Sequence, residues 1–331
     1  MTDTRFDVLA IGNAIVDVIA SCEDSFIASE GLDKGAMALI DTVRAEELYA
    51  HMGPAREISG GSAANTCAGL AAMGSSAAFI GQVADDQLGE VFAHDIRAAG
   101  IHFDVAPRKG NPPTARCLIL VTPDGQRTMN TFLGASQHLP AAAVDADLIA
   151  SAKVLYLEGY LWDPDMPRAA MKGAIDAARK AGRQVAFTLS DAFLLGRHGD
   201  DFRALIDEGL IDILFANEVE LLGLTGAADF EAGVAALAPK LPVLVATRSE
   251  KGAVAVAGGE RAQVSAEPVA KVIDTTGAGD SFAAGFLHGH VGGAPLADCL
   301  TMGAVAAAEV ISHYGARPES DLKALIAARL G

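Results

Sequence analysis

Near its C-terminal end the chain reads DTTGAGDSF, from Asp274 to Phe282, between an apolar run and a helix-forming segment. If Gly277, Ala278 and Gly279 open that helix, several backbone N–H groups are left without intrahelical partners. They would point outward, at the end where the helix dipole also favours an anion. Asp280 follows in the first turn, with a carboxylate able to accept a hydroxyl proton. An anion site beside such a base is what phosphoryl transfer to an alcohol needs. The same residues also suit a plain turn, with glycines shaping the backbone and Asp280 neutralising the helix end.

Other polar groups could serve the same chemistry. Asn13 and Asp17 follow the first apolar run, and together offer a donor-acceptor side chain and a bidentate acceptor suited to paired sugar hydroxyls. Both residue types also favour turns. Gly60 and Gly61 would let the backbone approach a ligand, with Ser62 capping the next helix and Asn65 reaching out from its first turn; small-residue packing explains the glycines equally well. Glu220, at a helix start after Asn217, reads on its own as a solvated or capping group. Arg127 beside a hairpin turn reads as a cation able to close over phosphate, or as a solvated turn charge. Tyr160 reads as an aromatic wall or a half-buried core residue. The eight histidines show no ligand spacing.

The elements that must position these groups alternate. Apolar, β-rich runs at 6–11, 77–80, 154–159, 184–190, 212–217 and 242–247 are separated by helical stretches at 62–73, 87–99, 166–181 and 201–208. Helices then dominate, at 278–291, 296–312 and 320–330. This predicts an α/β fold whose mostly parallel sheet is covered by helices on both faces. Two runs at 115–122 and 126–132, joined by Pro123-Asp124-Gly125, read as an antiparallel hairpin. With an extended piece at 36–40 they predict a small β lid, from about 14–42 and 105–134, inserted in one large domain over 1–331.

Composition narrows the partners. Hydrophobic residues make up 51% of the 331 and charged residues 20%, which suits a large buried core and argues against disorder. A net charge of −17 without a basic block disfavours nucleic acid and anionic membranes. No stretch approaches the ~18 apolar residues of a membrane span, and the start lacks the pattern of a secretory signal. Cys22, Cys67, Cys117 and Cys299 lie far apart without a C-x-x-C pair, so neither disulfides nor a metal cage are expected. A cytoplasmic monomer or homodimer is expected.

DTTGAGDSF with Gly285-Phe286 beyond it resembles the C-terminal signature of the ribokinase (PfkB-type) carbohydrate and nucleoside kinases. Further motifs of that family follow in order: Gly12-Asn13 with Asp17, the G-G-x-x-x-N segment at Gly60–Asn65, and the G-x-x-G-x-D-x-x-G stretch at 81–89, where Ala84 replaces a glycine. Asn217 to Glu220 fits N-x-x-E. Thr247 to Gly252, with Arg248, fits T-x-G-x-x-G except that Ser249 replaces the middle glycine. A Walker A pattern is absent. The resemblance implies a ribokinase-like three-layer fold with a β lid, and ATP with Mg²⁺ as the phosphoryl source. Asn217, Glu220, Thr247, Arg248, Gly252, Gly277 and Gly279 would hold the nucleotide, Glu220 acting on Mg²⁺ through water. Asn13, Asp17, Gly60, Gly61, Ser62, Asn65, Arg127 and Tyr160 would hold the acceptor, and Asp280 would be the base, with a pKa near the ordinary ~3.9. In some relatives backbone carbonyls near the matching turns hold K⁺, here Asp274, Thr276 and Gly315. Three stretches, at 31–41, 132–136 and 157–165, resemble the adenosine-kinase branch, which implies a nucleoside acceptor covered by Met37 or Leu39; a sugar acceptor is the alternative.

Overall fold

The computed structural model describes residues 4–331. The first third of the chain runs β1 (Phe6–Ile11), β2 (Ile15–Ser21), α1 (Asp24–Ser29), β3 (Met37–Leu39), α2 (Thr42–His51), β4 (Ala55–Gly60), α3 (Ser62–Met73), β5 (Ala77–Ile80) and α4 (Gln87–Ala98). The middle continues with β6 (Ala115–Val121), β7 (Arg127–Phe132), α5 (Ala146–Ala150), β8 (Ala152–Glu158), α6 (Asp165–Lys180), β9 (Gln184–Thr188), α7 (Ala192–Asp207) and β10 (Ile213–Asn217). Last come α8 (Glu218–Thr225), α9 (Phe230–Leu237), β11 (Val243–Thr247), β12 (Ala253–Ala257), β13 (Glu260–Val264), α10 (Ala278–Val291), α11 (Leu296–Val310) and α12 (Leu322–Leu330).

Eight strands form one sheet in the order β13-β12-β11-β10-β9-β8-β1-β5. It is parallel from β11 to β5, and β12 and β13 add an antiparallel hairpin at one edge. Its strands read as continuous apolar runs because both faces are covered. Along β1, Val8 and Ala10 enter a core with α3, α10 and α11, while Leu9 and Ile11 enter another with α6 and α7. The period-2 alternation of a strand thus feeds two cores. The edge hairpin, turning at Gly258-Gly259, is absent from the pattern of apolar runs read above. The helix expected over 201–208 starts nine residues earlier, because Asp191 caps it at Phe193 N (3.1 Å) while Gly196 and Gly199 dilute its helical signal.

The second sheet has the order β3-β7-β6-β2-β4. The hairpin β6–β7 pairs antiparallel and β3 joins β7, as the sequence implies, whereas β2 and β4 complete the sheet on the other side. Strand β4 lies outside the segments expected to form the lid. Val16, Val18, Leu118 and Leu120 on its inner face are fully buried and belong to the same core as Val8. Burying each such side chain is worth about 1.5–3 kcal/mol, which makes this sheet a packed layer.

Candidate active site

Five parallel strands deliver side chains to one rim. Asn13 lies just past β1, and β8, β9, β10 and β11 end on Glu158, Thr188, Asn217 and Thr247. All five line a cleft of ≈ 720 Å³ whose other wall comes from the second sheet, through Ile15, Asp17, Met37, Leu39, Cys117, Ile119, Met129 and Thr131. A crevice at the carboxyl ends of parallel strands is where open α/β sheets bind ligands.

The DTTGAGDSF segment enters this cleft as the N-terminus of α10. Gly277 is the N-cap, with φ of 76°, and a Cβ there would meet Ala316 Cβ at 2.5 Å and its Cα at 2.9 Å. Only glycine satisfies both the left-handed backbone and that approach. Gly279 faces open space at the helix start, whereas Ala278 N already donates to Thr275 O at 3.2 Å. Asp280 accepts from Ser62 Oγ at 2.6 Å and from Asn65 Nδ2 at 3.3 Å. Burial pushes it up to about 6, against the pull of those two donors, rather than leaving it at the ordinary aspartate value expected above.

Ser62 is not the helix cap. Gly61, with φ of 98°, occupies that position, and Ser62 as the first helical residue turns its hydroxyl to Asp280. Asn65 spends its amide nitrogen on Asp280 and keeps its carbonyl oxygen buried without a partner. That oxygen is an acceptor waiting for a donor.

Glu158 is the group the sequence reading missed. It is fully buried and accepts from Asn13 N (2.7 Å), Asn13 Nδ2 (2.6 Å) and Ala63 N (2.7 Å), which ties β1, α3 and β8 together. Ser136 Oγ donates to Asn13 Oδ1 at 2.7 Å. Asn13 is therefore largely committed to holding the rim, with one amide hydrogen to spare. Burial pushes Glu158 up to about 7. Ser190, at a left-handed φ of 68°, accepts from Gly159 N at 2.9 Å and fixes the turn that carries Tyr160. Strain at a non-glycine residue beside a cleft is a recurrent mark of functional turns. Tyr160 and Phe193 lie 6.2 Å apart, and both line the cleft.

Asn217 and Glu220 form a reciprocal capping box at the start of α8, through Glu220 N to Asn217 Oδ1 at 2.8 Å and Asn217 N to Glu220 Oε2 at 2.9 Å. The capping role is thus realised, and Glu220 also lines the cleft. Burial chiefly, with Asp191 adding a like charge, pushes it up to about 7.

Several expected site residues stand back from the cleft. Arg127 pairs with Asp274 Oδ2 at 2.5 Å and lies 5.0 Å over the Tyr314 ring. Arg248 bonds Glu218 at 3.0 Å and covers Phe230 at 4.1 Å. Gly60 and Gly252 serve close packing, their absent Cβ atoms facing Asp17 Oδ2 at 2.6 Å and Val264 O at 1.9 Å. Asp274 accepts from Thr276 N, Thr276 Oγ1 and Gly315 N at 3.1, 2.8 and 3.0 Å, so its carboxylate organises the loop ahead of α10. Among the described residues, no Lys, Arg or His lines the cleft, while Asp17, Glu158, Asp163, Asp191, Glu220 and Asp280 do. No single helix among them is long and apolar enough to cross a membrane.

A carboxylate in the first turn of a helix, a glycine-lined helix start and a second sheet facing them suit phosphoryl transfer to an alcohol. The family model described as "pfkB family carbohydrate kinase" matches residues 7–323, and the chain belongs to that family. Its members act on ATP and a sugar or nucleoside, generally with a divalent cation. Among solved structures, the chain is similar to adenosine kinase from Sinorhizobium meliloti, with 50% identity, TM-score 0.90 and 99% of each chain covered. It is also similar to a "probable sugar kinase protein" from Rhizobium etli, with 49% identity, TM-score 0.91, and 99% of this chain and 98% of that one covered. Ribokinase from Arabidopsis thaliana is 31% identical across 79% of this chain and 69% of that protein.

Proposed function

We propose that the protein transfers the γ-phosphoryl group of Mg²⁺-bound ATP to the primary hydroxyl of a nucleoside, adenosine foremost, giving the 5'-monophosphate. The observation that carries this reading is the lining of the cleft. Met37 and Leu39 stand 41% and 53% exposed on its lid side, across from Tyr160 and Phe193, so apolar and aromatic surfaces await a planar partner. Six carboxylates and no cation disfavour an acceptor that already carries a phosphate. The likeness to the Sinorhizobium meliloti adenosine kinase supports the same choice.

In this reading the acceptor's paired hydroxyls meet Asp17 and the free carbonyl oxygen of Asn65. Its primary hydroxyl gives its proton to Asp280 as the oxygen attacks the γ-phosphorus in line. Ser62 and Asn65 hold the Asp280 carboxylate in one orientation, and each of its oxygens keeps a lone pair for that proton. The N–H of Gly279, joined by that of Ala278 on its release from Thr275 O, offsets charge on the moving phosphoryl group. The carboxylates of Glu220 and Asp191 fit a hard divalent cation, which offsets phosphate charge when bound. The second sheet excludes water from the acceptor side.

Because Asp280 must be ionised to act, activity is lost as pH falls through its raised value. The acid limb of kcat/KM is expected between pH 6 and 7, with Asp17 contributing to it, instead of near 4. A profile flat down to pH 5 would refute Asp280 as a base in this environment.

A sugar acceptor is the second reading, favoured by the similarity to ribokinase and to a fructokinase from Klebsiella pneumoniae, 28% identical across 70% of this chain and 76% of that protein. Phosphate transfer measured against a panel of nucleosides and free sugars separates the two. Adenosine is expected to give the highest kcat/KM, and turnover of ribose or fructose far above every nucleoside would replace the first reading with the second.

A further inference from the structure

Arg127 on β7 and Asp274 ahead of α10 have no step in the phosphoryl-transfer scheme above, yet they join the second sheet to the loop that carries the base. Arg127 Nη1 lies 2.5 Å from Asp274 Oδ2, and the two side chains are only 8% and 3% exposed, so solvent and salt screen the pair little. Among the described residues none of the guanidinium nitrogens finds a partner in hydrogen-bond geometry. A cation buried in this way is costly unless an opposite charge faces it. What holds Arg127 is therefore the Asp274 charge, together with the Tyr314 ring, whose centre lies 5.0 Å from the guanidinium carbon. The hairpin turn ahead of Arg127 lies against the same residue, since a Cβ on Gly125 would come 3.6 Å from the Tyr314 hydroxyl.

The partners of this contact belong to opposite ends of the cleft. Side chains alternate along β7, so Arg127 shares a face with Met129 and Thr131, and both of these line the cleft on its acceptor side. Met37 and Leu39 of β3 stand in register with the same two residues. Asp274, at the phosphate end, accepts from Thr276 N, Thr276 Oγ1 and Gly315 N and so sets the course of the loop into α10. Within that loop Thr275 O holds Ala278 N at 3.2 Å. The pose of the loop thus decides whether the Ala278 N–H is offered to a phosphate.

We propose that Arg127, Asp274 and Tyr314 form a clamp that couples the two ends of the cleft, so that an acceptor seated against β7 tightens the binding of ATP. The clamp rests on the reading of the cleft as a kinase's. Arg127 is in this role a positioning residue, acting through Asp274 without touching the phosphate. Strand β7 is paired on both sides, with β6 and β3, so an acceptor that orders Met129 and Thr131 also orders Arg127 on the same face. The loop held by Arg127 then has less freedom left to lose when ATP arrives. By linkage, ATP tightens acceptor binding by the same factor.

Calorimetric binding of Mg²⁺ with the non-hydrolysable ATP analogue AMP-PNP, with and without the best acceptor of the panel, tests this. The proteins are the parent, Arg127→Met, Asp274→Asn, the two combined, and Arg127→Lys, each with steady-state kinetics alongside. In the parent the acceptor is expected to tighten the analogue at least about fivefold, the lower end of usual couplings between sites. Arg127→Met and Asp274→Asn should each bring that ratio below about twofold, and combining them should remove no more, because both break one contact. Arg127→Lys, which keeps the charge, should retain part of the coupling. A pair that only stabilised the fold would weaken both binding states alike and leave the ratio unchanged. A ratio of one in the parent, or a parental ratio in Arg127→Met and Asp274→Asn, would overturn the clamp. So would a large loss of kcat in Arg127→Met with the ratio intact, which would make Arg127 a direct phosphate contact. Phosphate transfer by the parent to no member of the panel would instead overturn the kinase reading, and the inference with it. If Arg127→Met or Asp274→Asn fails to fold, Arg127→Lys combined with Tyr314→Ala keeps the charges balanced while removing the planar contact, and carries the same outcomes.

Discussion

Asp280→Asn is expected to lower kcat by about 10²- to 10⁴-fold, the usual contribution of a positioned general base, while the KM values for ATP and acceptor change little. The amide keeps the shape of the side chain and an oxygen for Ser62 Oγ, so the ligand pocket stays in place. The same substitution is expected to stabilise the fold at alkaline pH. The folded-state value of Asp280, about 6, lies above the ordinary 3.8, so its contribution to stability is fully present below pH 3.8 and lost as pH rises through 6. At pH 8 the buried charge costs up to about 3 kcal/mol, from roughly two pKa units at 1.36 kcal/mol each. Part of that returns as a cost in the variant, because the new NH₂ faces Asn65 Nδ2. The Tm of the variant should exceed that of the parent at pH 8, and the difference should close by pH 4. Near-parental turnover would remove Asp280 from the chemistry; a Tm advantage that persists at pH 4 would contradict the buried charge as its cause.

Glu158→Ala is expected to be the most destabilising single change at the rim. It strips the partner from three buried donors, Asn13 N, Asn13 Nδ2 and Ala63 N. Each abandoned donor costs about 1–3 kcal/mol, so a loss of several kcal/mol in denaturant unfolding is expected. The cavity left by the side chain adds to it. Glu158→Gln separates structure from charge. It should recover part of the stability and leave acceptor KM raised, since one of its amide hydrogens must face a donor. Stability of Glu158→Ala within about 1 kcal/mol of the parent would show that the rim is held by other contacts.

What could be read in the sequence follows the range of each interaction. The glycine turn and Asp280 are written in nine consecutive residues, and the β6–β7 hairpin in its Pro-Asp-Gly turn. Strand β1, helix α3 and helix α10 fall on the residues where periodicity and glycine stops place them. Strand β4 reads AREISG, short, charged and at a sheet edge, with no apolar pattern to announce it. Strand β2 alternates clearly, yet its partners β6 and β4 lie far along the chain. The same distance hides the site's internal bonds. Ser62 reaches Asp280 across 218 positions and Glu158 reaches Asn13 across 145, so neither pairing leaves a local trace. Glu158 in LEGY looks like a strand end. Only the folded chain shows it holding the rim together.

The cleft's acid lining also bears on how a turnover ends. A neutral acceptor enters among six carboxylates without Coulombic resistance, and leaves bearing a phosphate of about −1.5 to −2 charge at pH 7. Among the described residues no Lys, Arg or His lines the walls to hold that phosphate. Two unit charges 4 Å apart repel by about 1 kcal/mol even in bulk water, and by more where water is scarce. The chemical step therefore creates the charge that drives its own product out, and leaves the site ready for the next neutral molecule.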